Sequence, residues 1–409
     1  MDLASFKLLF SKAGQEALTA AEQLQPKESE YLRHFQYLEK KFPKKLAQAA
    51  LETAILRIEA ERKFPQAAGM YFTREALEQA SPFCVSQYRS ERYRICDALV
   101  DLGCSSGSDT INLGSITHST GVEIDPLRLA LAQANVDYLG LSDQIDFIRA
   151  DLNDPLPIMA RENSGLFFDP ARRTGGKRIY SVKDYEPPLD RLSSWMNDFP
   201  ALGVKISPGV DKSETAALDA ELEFVSLRGE LKEALLWFGP LKTTKRRATV
   251  LPGPHTMTGE DEPAPLPLSE PSAYLYEPDA AVIRSGLVPK FGDQIGAFQL
   301  DPDIAYLTAR DEIPNPFSRV WEVEDWFPFN VKRLREYLRI RNVGKVTVKK
   351  RGSPLQPEEL MRMLRLRGED QRVVFLTHLD GAPITIVCFQ PKKPINRELQ
   401  SYSDVNSGR

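Results

Sequence analysis

The feature that most constrains the fold is a series of short apolar runs between residues 98 and 206, which alternate with segments able to form helices. The runs cover residues 98–102, 120–124, 145–148, 165–168 and 202–206. The clearest intervening helix is predicted at residues 126–139, because Asp125 suits the N-cap, Pro126 the first turn and Gly140 the end. Strands that alternate with helices predict a parallel sheet with helices on both faces, in an α/β fold.

The remaining segments divide the 409-residue chain further, since a domain usually has about 100–200 residues. Near the N-terminus, apolar residues recur every three or four positions, as at Ala47, Leu51 and Ile55, which predicts helices. Six prolines at 252–271 predict a linker. The expected order is an N-terminal helical region (1–75), the α/β domain (76–251, with edge strands at 221–226 and 247–251), the linker (252–271), two small domains (272–328 and 329–393) and a tail (394–409).

Cysteine and histidine usage excludes several classes of protein. The four cysteines, at 84, 96, 104 and 388, form no C-x-x-C pair, so neither a disulfide framework nor a zinc site is expected, and a reducing cytoplasm fits best. The four histidines lie far apart, and we expect no metal site. No apolar stretch reaches the roughly 20 residues that span a bilayer, so no membrane partner is expected.

The strongest functional signal is the segment after the first predicted strand, Asp101-Leu102-Gly103-Cys104-Ser105-Ser106-Gly107. A ligand can approach the backbone at Gly103 and Gly107, because glycine has no side chain and adopts the dihedral angles of tight turns. The Gly-Lys-Ser/Thr of a nucleotide phosphate loop is absent. Ser105 stands where the dinucleotide fingerprint has its second glycine, so that class is also excluded.

Four acidic residues follow or end predicted strands: Asp101, Glu123, Asp151 and Asp169. In an open α/β sheet, ligands bind at the carboxyl ends of the strands. A carboxylate after the second strand suits a ribose diol, because one acid can accept from both hydroxyls. Asp151 alone would be read as a surface loop acid, but as part of this series it is interpreted as a ligand contact.

Through DLGCSSG, GVEID, RADL and FFDP, in that order, the sequence resembles the class I S-adenosylmethionine-dependent methyltransferases. More narrowly, over residues 60–393, it is similar to bacterial methyltransferases with a C-terminal THUMP-like domain, through MYFTREALEQAS, DLGCSSGSD, EIDPLRLALAQAN, FFDPARR, KISPG, YLYEPDAAVIRSGL and the KKRG that begins at Lys349. The resemblance implies a Rossmann-like methyltransferase sheet with an N-terminal helical region. It also implies small α+β C-terminal domains, ferredoxin-like at 272–328 and THUMP-like at 329–393.

The resemblance implies S-adenosylmethionine as cofactor and assigns roles to the loop and the acids. Asp101, Gly103 and Gly107 would hold the methionine end, together with Cys104 and Ser105 of the same loop. Glu123 would hold the ribose hydroxyls, and Asp151 the adenine amino group. Ser105 replaces the middle glycine that is usual in this loop.

Asp169-Pro170-Ala171-Arg172 stands where amino-methyltransferases carry Asp/Asn-Pro-Pro-aromatic. Asp169 and Pro170 match and would be catalytic, because the acid and a proline carbonyl accept hydrogen bonds from the amine and aim its lone pair. An amine nitrogen is therefore the preferred acceptor. The second proline and the aromatic are replaced by Ala171 and Arg172.

Three cations near this motif are candidates for substrate binding. Arg172 and Arg173 can clamp a phosphate or form an ion pair across the sheet edge, and the sequence favours neither use. Lys205, at the end of the fifth strand, can face the same cleft or serve as a structural lysine.

The net charge of −4 conceals a sharp division along the chain. Residues 329–393 contain fifteen Lys and Arg but six Asp and Glu, whereas the rest of the chain is acidic. A basic module suits a polyanion, since phosphate contacts supply sequence-independent affinity. Lys349, Lys350 and Arg351 are the expected substrate contacts of this module, and a solvated helix face is the alternative reading of its charge.

Together these observations predict a methyltransferase that acts on RNA, at a tRNA or rRNA base, with RNA docked by the basic domain. Two alternatives stay open. One is methyl transfer to a small molecule or a protein, and the other is a non-catalytic RNA-binding protein that retains the cofactor site. The oligomeric state is not predicted.

Overall fold

The computed structural model describes residues 1–170, 181, 185 and 191–390, together with the backbone of 173–174 and 177–178. The expected tail at 394–409 and Arg172 lie outside the described residues, as does the side chain of Arg173. The chain divides into two compact units, Met1–Glu260 and Asp261–Arg409.

The first unit begins with six helices and continues into a nine-stranded sheet. The helices are α1 (Leu3–Leu8), α2 (Lys12–Gln23), α3 (Tyr31–Leu38), α4 (Lys44–Ala60), α5 (Arg74–Gln79) and α6 (Phe83–Ser90). Buried alanines of α2 and α4, such as Ala17, Ala21 and Ala50, belong to a core that also contains Leu131. Because Leu131 belongs to a helix of the α/β region, the N-terminal helices share a core with that region.

The sheet has the order β11-β10-β8-β9-β7-β4-β1-β2-β3. Its strands are β1 (Ala98–Leu102), β2 (Ser119–Glu123), β3 (Ile145–Arg149), β4 (Ser164–Phe168), β7 (Ala201–Ile206), β8 (Glu221–Leu227), β9 (Glu230–Trp237), β10 (Arg246–Leu251) and β11 (His255–Gly259). Two-residue strands β5 (Arg173–Thr174) and β6 (Lys177–Arg178) pair with each other. The associated helices are α7 (Thr110–Gly114), α8 (Pro126–Tyr138) and α9 (Leu192–Asp198).

The parallel part of the sheet consists of β3, β2, β1, β4 and β7. The five predicted strands and the α/β fold class are thereby confirmed. All positions of β4 and β7 are buried, which explains why both are continuous apolar runs rather than alternating ones. The carboxyl ends of all five parallel strands lie at one edge of the sheet, so the residues that follow these strands are brought together.

The structure differs from the expected linker at 252–271. Residues 255–259 form β11, which pairs antiparallel with β10 and buries Met257. Pro252 and Pro254 therefore lie in the turn between two strands of the sheet. The division between the two units follows this strand, after Glu260.

The second unit contains one seven-stranded sheet of order β13-β14-β12-β15-β18-β17-β16. Its strands are β12 (Tyr274–Pro278), β13 (Phe298–Asp301), β14 (Ile304–Ala309), β15 (Ser318–Pro328), β16 (Val343–Lys350), β17 (Asp370–Leu379) and β18 (Ala382–Phe389). Its helices are α10 (Ala280–Ser285), α11 (Val288–Gln294), α12 (Val331–Ile340) and α13 (Pro357–Leu364).

The two small domains expected at 272–328 and 329–393 share this sheet. The long strand β15 pairs with β12 through residues 318–322 and with β18 through residues 323–328. One core cluster combines Tyr306 and Trp321 with Phe375 and Ile386. The expected boundary after residue 328 therefore separates two halves of one packed unit.

Among the helices of residues 1–170 and 191–390, none is long and apolar enough to cross a membrane.

Candidate functional site

A cavity of about 570 Å³ lies at the carboxyl ends of the parallel strands in the first unit. This volume falls in the usual range of about 300–1,000 Å³ for small-molecule sites. The predicted site residues that line it are Asp101, Gly103, Cys104, Ser105, Glu123, Asp151, Asp169, Pro170 and Lys205. Residues that are distant in sequence thus meet where the strand arrangement predicts a ligand site.

The loop after β1 takes a left-handed backbone conformation at three positions. Gly103 has φ 78°, Gly107 has φ 77° and Ser105 has φ 52°. A Cβ on Gly103 would lie 3.3 Å from the Asp169 carbonyl oxygen, and one on Gly107 would lie 3.2 Å from the Ala132 Cβ. Both glycines are therefore required by conformation and by close packing, whereas Ser105 adopts this conformation at an energetic cost.

The loop after β1 also buries the polar atoms of two side chains, the Ser105 hydroxyl and the Cys104 thiol. The Ser105 hydroxyl is buried and has no hydrogen-bond partner among the described residues. The Cys104 side chain is buried with its sulfur against Gly121 of β2, and burial raises the pKa of its thiol well above the ordinary value. Ser105 thus offers an unused polar atom at the cavity, while Cys104 is a packed thiol.

Glu123, the last residue of β2, ties the loop to the sheet. One carboxylate oxygen accepts from the Ser105 amide at 3.0 Å, and the other accepts from the Asp125 amide at 3.0 Å. A carboxylate has about four acceptor positions, so these bonds leave capacity for the hydroxyls of a ligand. The two amides fix its orientation at the cavity wall.

Asp101 is almost fully buried at the end of β1. It accepts a hydrogen bond of 2.5 Å from the Thr110 hydroxyl at the start of α7. Burial raises the pKa of this carboxyl to about 7, and the charge of Asp109 contributes to the rise. A cationic ligand group beside Asp101 would favour its ionised form.

Asp151 lies beyond the end of β3 and is half-buried. Its carboxylate accepts from the Asn153 amide at 2.9 Å and from the Asn153 side chain at 3.0 Å. These bonds shape the turn that carries it, as in an Asx turn. The acid nevertheless lines the same cavity as Asp101 and Glu123.

At the end of β4, Asp169 forms an ion pair with Lys205 of β7. The Lys205 ammonium lies 2.6 Å from a carboxylate oxygen of Asp169 and 3.0 Å from the Ser81 hydroxyl. Lys205 is 3% exposed. Lys205 lines the cavity and its ammonium contacts Asp169, so the two uses considered from the sequence, a residue of the cleft and a structural lysine, both stay open.

Sequence reasoning missed several residues at this cavity. Lys63, Ser81, Asp109 and Glu233 line it as well. The Lys63 ammonium donates to the carbonyls of residues 77, 78 and 80, at 2.6, 3.0 and 2.8 Å. Burial lowers the pKa of Lys63 to about 8, and the charges of Lys205 and Lys232 act in the same direction. Ser81 ends the MYFTREALEQAS segment and Asp109 ends DLGCSSGSD, but the resemblance assigns neither a role. Lys63 and Glu233 belong to no motif, and only the tertiary fold places the four residues together.

In the second unit, two of the three expected substrate cations are paired internally. Lys349 forms an ion pair with Glu277 and lies 4.4 Å from the ring centroid of Trp321. An Arg351 nitrogen lies 3.7 Å from Glu277, and Lys350 donates to Gln356 at 2.8 Å. RNA contact by these three residues stays a prediction.

The charge of the second unit is divided between the two halves of its sheet. Residues 261–328 carry thirteen Asp and Glu against four Lys and Arg, which offsets the basic residues of 329–393. Within the described part of the chain, seven exposed cations of the basic half have no carboxylate within 4.0 Å. Arg333 lies over the Phe327 ring and Lys345 belongs to β16. The other five, which we call the exposed basic set, are Lys332, Arg339, Arg362, Arg365 and Arg367.

Among the side chains that the structure describes, no group of three or more His, Cys, Asp or Glu is arranged to hold a metal ion.

Two family models match the chain. One, described as THUMP domain-like, covers residues 318–390, which comprise β15 to β18 with α12 and α13. The other, described as a Domain of unknown function (DUF8688), covers residues 2–60 in the N-terminal helices.

Similar sequences come from two strains of Mycobacterium tuberculosis. Both are uncharacterized S-adenosylmethionine-dependent methyltransferases, 34% identical over 349 residues, which is 82% of this chain and 94% of each relative. The trimethylguanosine synthase of Schizosaccharomyces pombe is 28% identical over 98 residues, 22% of this chain and 41% of that protein.

A similar solved structure comes from Porphyromonas gingivalis W83. That protein, provisionally assigned as a methyltransferase, superimposes with a TM-score of 0.74 at 22% identity. The match covers 89% of this chain and 98% of the other, so the two chains share one fold.

Proposed function

Because the chain belongs to the S-adenosylmethionine-dependent methyltransferases, its cofactor is S-adenosylmethionine, and we propose that its methyl acceptor is RNA. The observation that carries the RNA proposal is the THUMP domain-like match at residues 318–390, attached to a methyltransferase unit. The basic composition of this segment supports the proposal, because RNA is a polyanion. The partial similarity to trimethylguanosine synthase, whose name specifies a methylated nucleoside product, supports it further.

The cavity of the first unit fits this cofactor. Asp101 would pair with the ammonium of the methionine end, and the backbone at Gly103 admits a ligand closely. Gly107 does not line the cavity and packs against Ala132 of α8, so its part would be to shape the loop. The buried Ser105 hydroxyl supplies a polar atom for the same end. Glu123 would accept from the ribose hydroxyls, and the acid Asp151 would accept from the adenine amino group.

Asp169 and Pro170 form the acceptor end of the proposed site, and a base amine of tRNA or rRNA is the preferred substrate. When bound, S-adenosylmethionine would supply an electrophilic methyl group, with S-adenosylhomocysteine as the leaving group, and the methylated nitrogen would lose its extra proton to water. The Asp169 carboxylate and the Pro170 carbonyl would accept hydrogen bonds from the amine. This aims the nitrogen lone pair at the methyl group, so catalysis is mainly by orientation and local electrostatics.

The exposed basic set is proposed to dock the RNA phosphates. Lys332 and Arg339 belong to α12, Arg362 to α13, and Arg365 and Arg367 follow α13. Cations that are not neutralised by carboxylates contribute most to phosphate contact. A cytoplasmic location, expected from cysteine usage, belongs to the same proposal; all four thiols are free.

Mass spectrometry of modified nucleosides tests this function. Total RNA is compared between parent cells, cells that lack the protein, and the latter complemented with wild type, Asp169→Ala or the exposed control Asp143→Asn. We expect one methylated nucleoside to disappear and to return with wild type and Asp143→Asn, but not with Asp169→Ala. Unchanged nucleosides in every strain would contradict an RNA substrate and favour a small-molecule or protein acceptor.

A further inference from the structure

Buried side chains connect the acceptor end of the cavity with the cofactor loop in one continuous network. It runs from Asp169 through Lys205, Ser81, Glu233 and Arg89 to Asp109. We propose that this network positions Asp169 for catalysis, with Lys205 as its direct positioning residue and Arg89 as the link to the loop. The inference rests on the proposed function and assigns Lys205 to Asp169 rather than to a substrate phosphate.

The donors and acceptors of the network are compatible along its whole length. The Lys205 ammonium donates to Asp169 at 2.6 Å and to the Ser81 hydroxyl at 3.0 Å. The Ser81 hydroxyl in turn donates to Glu233 at 3.4 Å. Arg89 donates from one nitrogen to both Glu233 oxygens, each at 2.7 Å, and from the other to Asp109.

Burial makes these pairings strong constraints. Arg89 and Glu233 are each 1% exposed, and the guanidinium of Arg89 lies 4.3 Å from the ring centroid of Phe167. A buried charge that loses its partner is strongly destabilising, so each member limits the conformations of the next. Burial alone would raise the pKa of Asp109, but the charges of Arg89 and Lys205 and its hydrogen bonds lower it, which keeps this acid ionised.

Fixing Asp169 has a direct chemical consequence. Its carboxylate has about four acceptor positions, so the Lys205 contact holds the plane of the carboxylate without exhausting its capacity to accept from an amine. Methyl transfer requires the acceptor nitrogen to be aligned within fractions of an ångström, and a displacement of about 1 Å can cost about 100-fold in rate. An unanchored Asp169 would aim the amine poorly.

The far end of the network reaches the cofactor loop. Asp109 is the N-cap residue of α7, two residues after Gly107, and Thr110 donates to Asp101. One nitrogen of the Arg89 guanidinium therefore contacts Asp109 next to the cofactor loop, and the other contacts Glu233. A perturbation of Arg89 should affect both cofactor affinity and turnover, whereas a perturbation of Lys205 should affect turnover alone.

The test compares Lys205→Met, Lys205→Arg and Ser81→Ala in the full chain. Lys242→Met is the control for loss of a lysine–aspartate pair, because Lys242 pairs with the exposed Asp219 away from the cavity. Cofactor affinity is measured by titration calorimetry with S-adenosylmethionine. Turnover is measured with methyl-tritiated cofactor and total RNA from cells that lack the protein.

For Lys205→Met we expect cofactor affinity within about twofold of wild type and turnover lowered about 100-fold, with partial recovery in Lys205→Arg. Ser81→Ala removes the hydroxyl that accepts from Lys205 and donates to Glu233, without removing a charge. It should lower turnover about tenfold, which gives a readout in a variant expected to fold. Wild-type turnover in Lys205→Met and Ser81→Ala would overturn the inference. Absence of transfer by the wild type itself would instead overturn the proposed RNA function, and the inference with it.

Discussion

Because the pKa of Asp101 is raised, we expect the free energy of unfolding of the cofactor-free protein to depend on pH in a calculable way. The folded carboxyl keeps its proton up to about pH 7, because burial and the charge of Asp109 disfavour ionisation, whereas its ordinary value is 3.8. Between these values the folded state binds more protons than the unfolded state, so rising pH favours unfolding. The full cost, present above pH 7, is about 4 kcal/mol, at about 1.4 kcal/mol per pKa unit.

Asp101→Asn removes this titration while retaining an oxygen that can accept from Thr110. We expect the stability of the variant relative to wild type to increase by about 3 kcal/mol between pH 5 and pH 8, because two of the pKa units lie in that window. At the same time the variant should lose affinity for S-adenosylmethionine, since the negative partner of the ammonium is gone.

Urea unfolding of the full chain without cofactor, followed by far-UV circular dichroism at the two pH values, measures the difference. The transitions of the two units are fitted separately, and the exposed Asp143→Asn controls for the loss of a carboxylate from the chain. An equal effect of Asp101→Asn at both pH values would indicate altered packing rather than titration. A variant less stable than wild type at pH 8 would refute the reasoning.

Three further predictions concern the loop and the exposed basic set. Ser105→Gly should stabilise the first unit by about 1 kcal/mol in urea unfolding, because glycine adopts φ 52° without strain; an unchanged or lower stability contradicts this. Gly103→Ala should destabilise it by about 1–2 kcal/mol and weaken cofactor binding in calorimetry, because φ is 78° and the Asp169 carbonyl is close; unaltered affinity would speak against a loop that approaches the cofactor. Arg365→Ser combined with Arg367→Ser should weaken the binding of total RNA in a filter-binding assay. The slope of log affinity against log salt concentration should fall by an amount that corresponds to about two phosphate contacts, whereas Lys349→Met should have a smaller effect. A larger effect of Lys349→Met would place the RNA-binding surface around Lys349 instead.

The parallel sheet and the placement of α8 could be predicted because their determinants are local. Each parallel strand is a short segment of the right length between helix-forming segments, and β4 and β7 are apolar and buried throughout. The start of α8 follows from one side chain, since Asp125 accepts from the amides of Leu127 and Arg128 at 2.7 and 2.9 Å. The carboxyl ends of the strands then determine which residues reach the cavity.

Other parts of the fold depend on pairing that the local sequence does not encode. The prolines on both sides of β11 are typical of a linker, although the strand between them completes the edge of the sheet. The strand β9 went unpredicted: it inserts antiparallel between β7 and β8, and its neighbours are decided by tertiary packing. Similarly, nothing in residues 318–328 reveals that one strand pairs with partners in both halves of the second unit.

Some residues of the candidate site could likewise be predicted from the sequence, whereas their contact partners could not. Its acids and glycines follow strands and could be recognised from order alone. The partners of those residues could not, because Ser81 lies 124 positions from Lys205 and 152 from Glu233. The ion pair of Lys205 with Asp169, and those of Lys349 and Arg351 with Glu277, likewise exist only in the folded chain.

The central claim is methyl transfer to RNA at Asp169, and it is tested most directly by incubating the protein with methyl-tritiated S-adenosylmethionine and total RNA from cells that lack it. We predict label in an RNase-sensitive fraction with wild type and with Asp143→Asn. With Asp169→Ala, which should still bind the cofactor in calorimetry, we predict at least about 100-fold less. Label that resists RNase, or equal label with Asp169→Ala, would contradict the account.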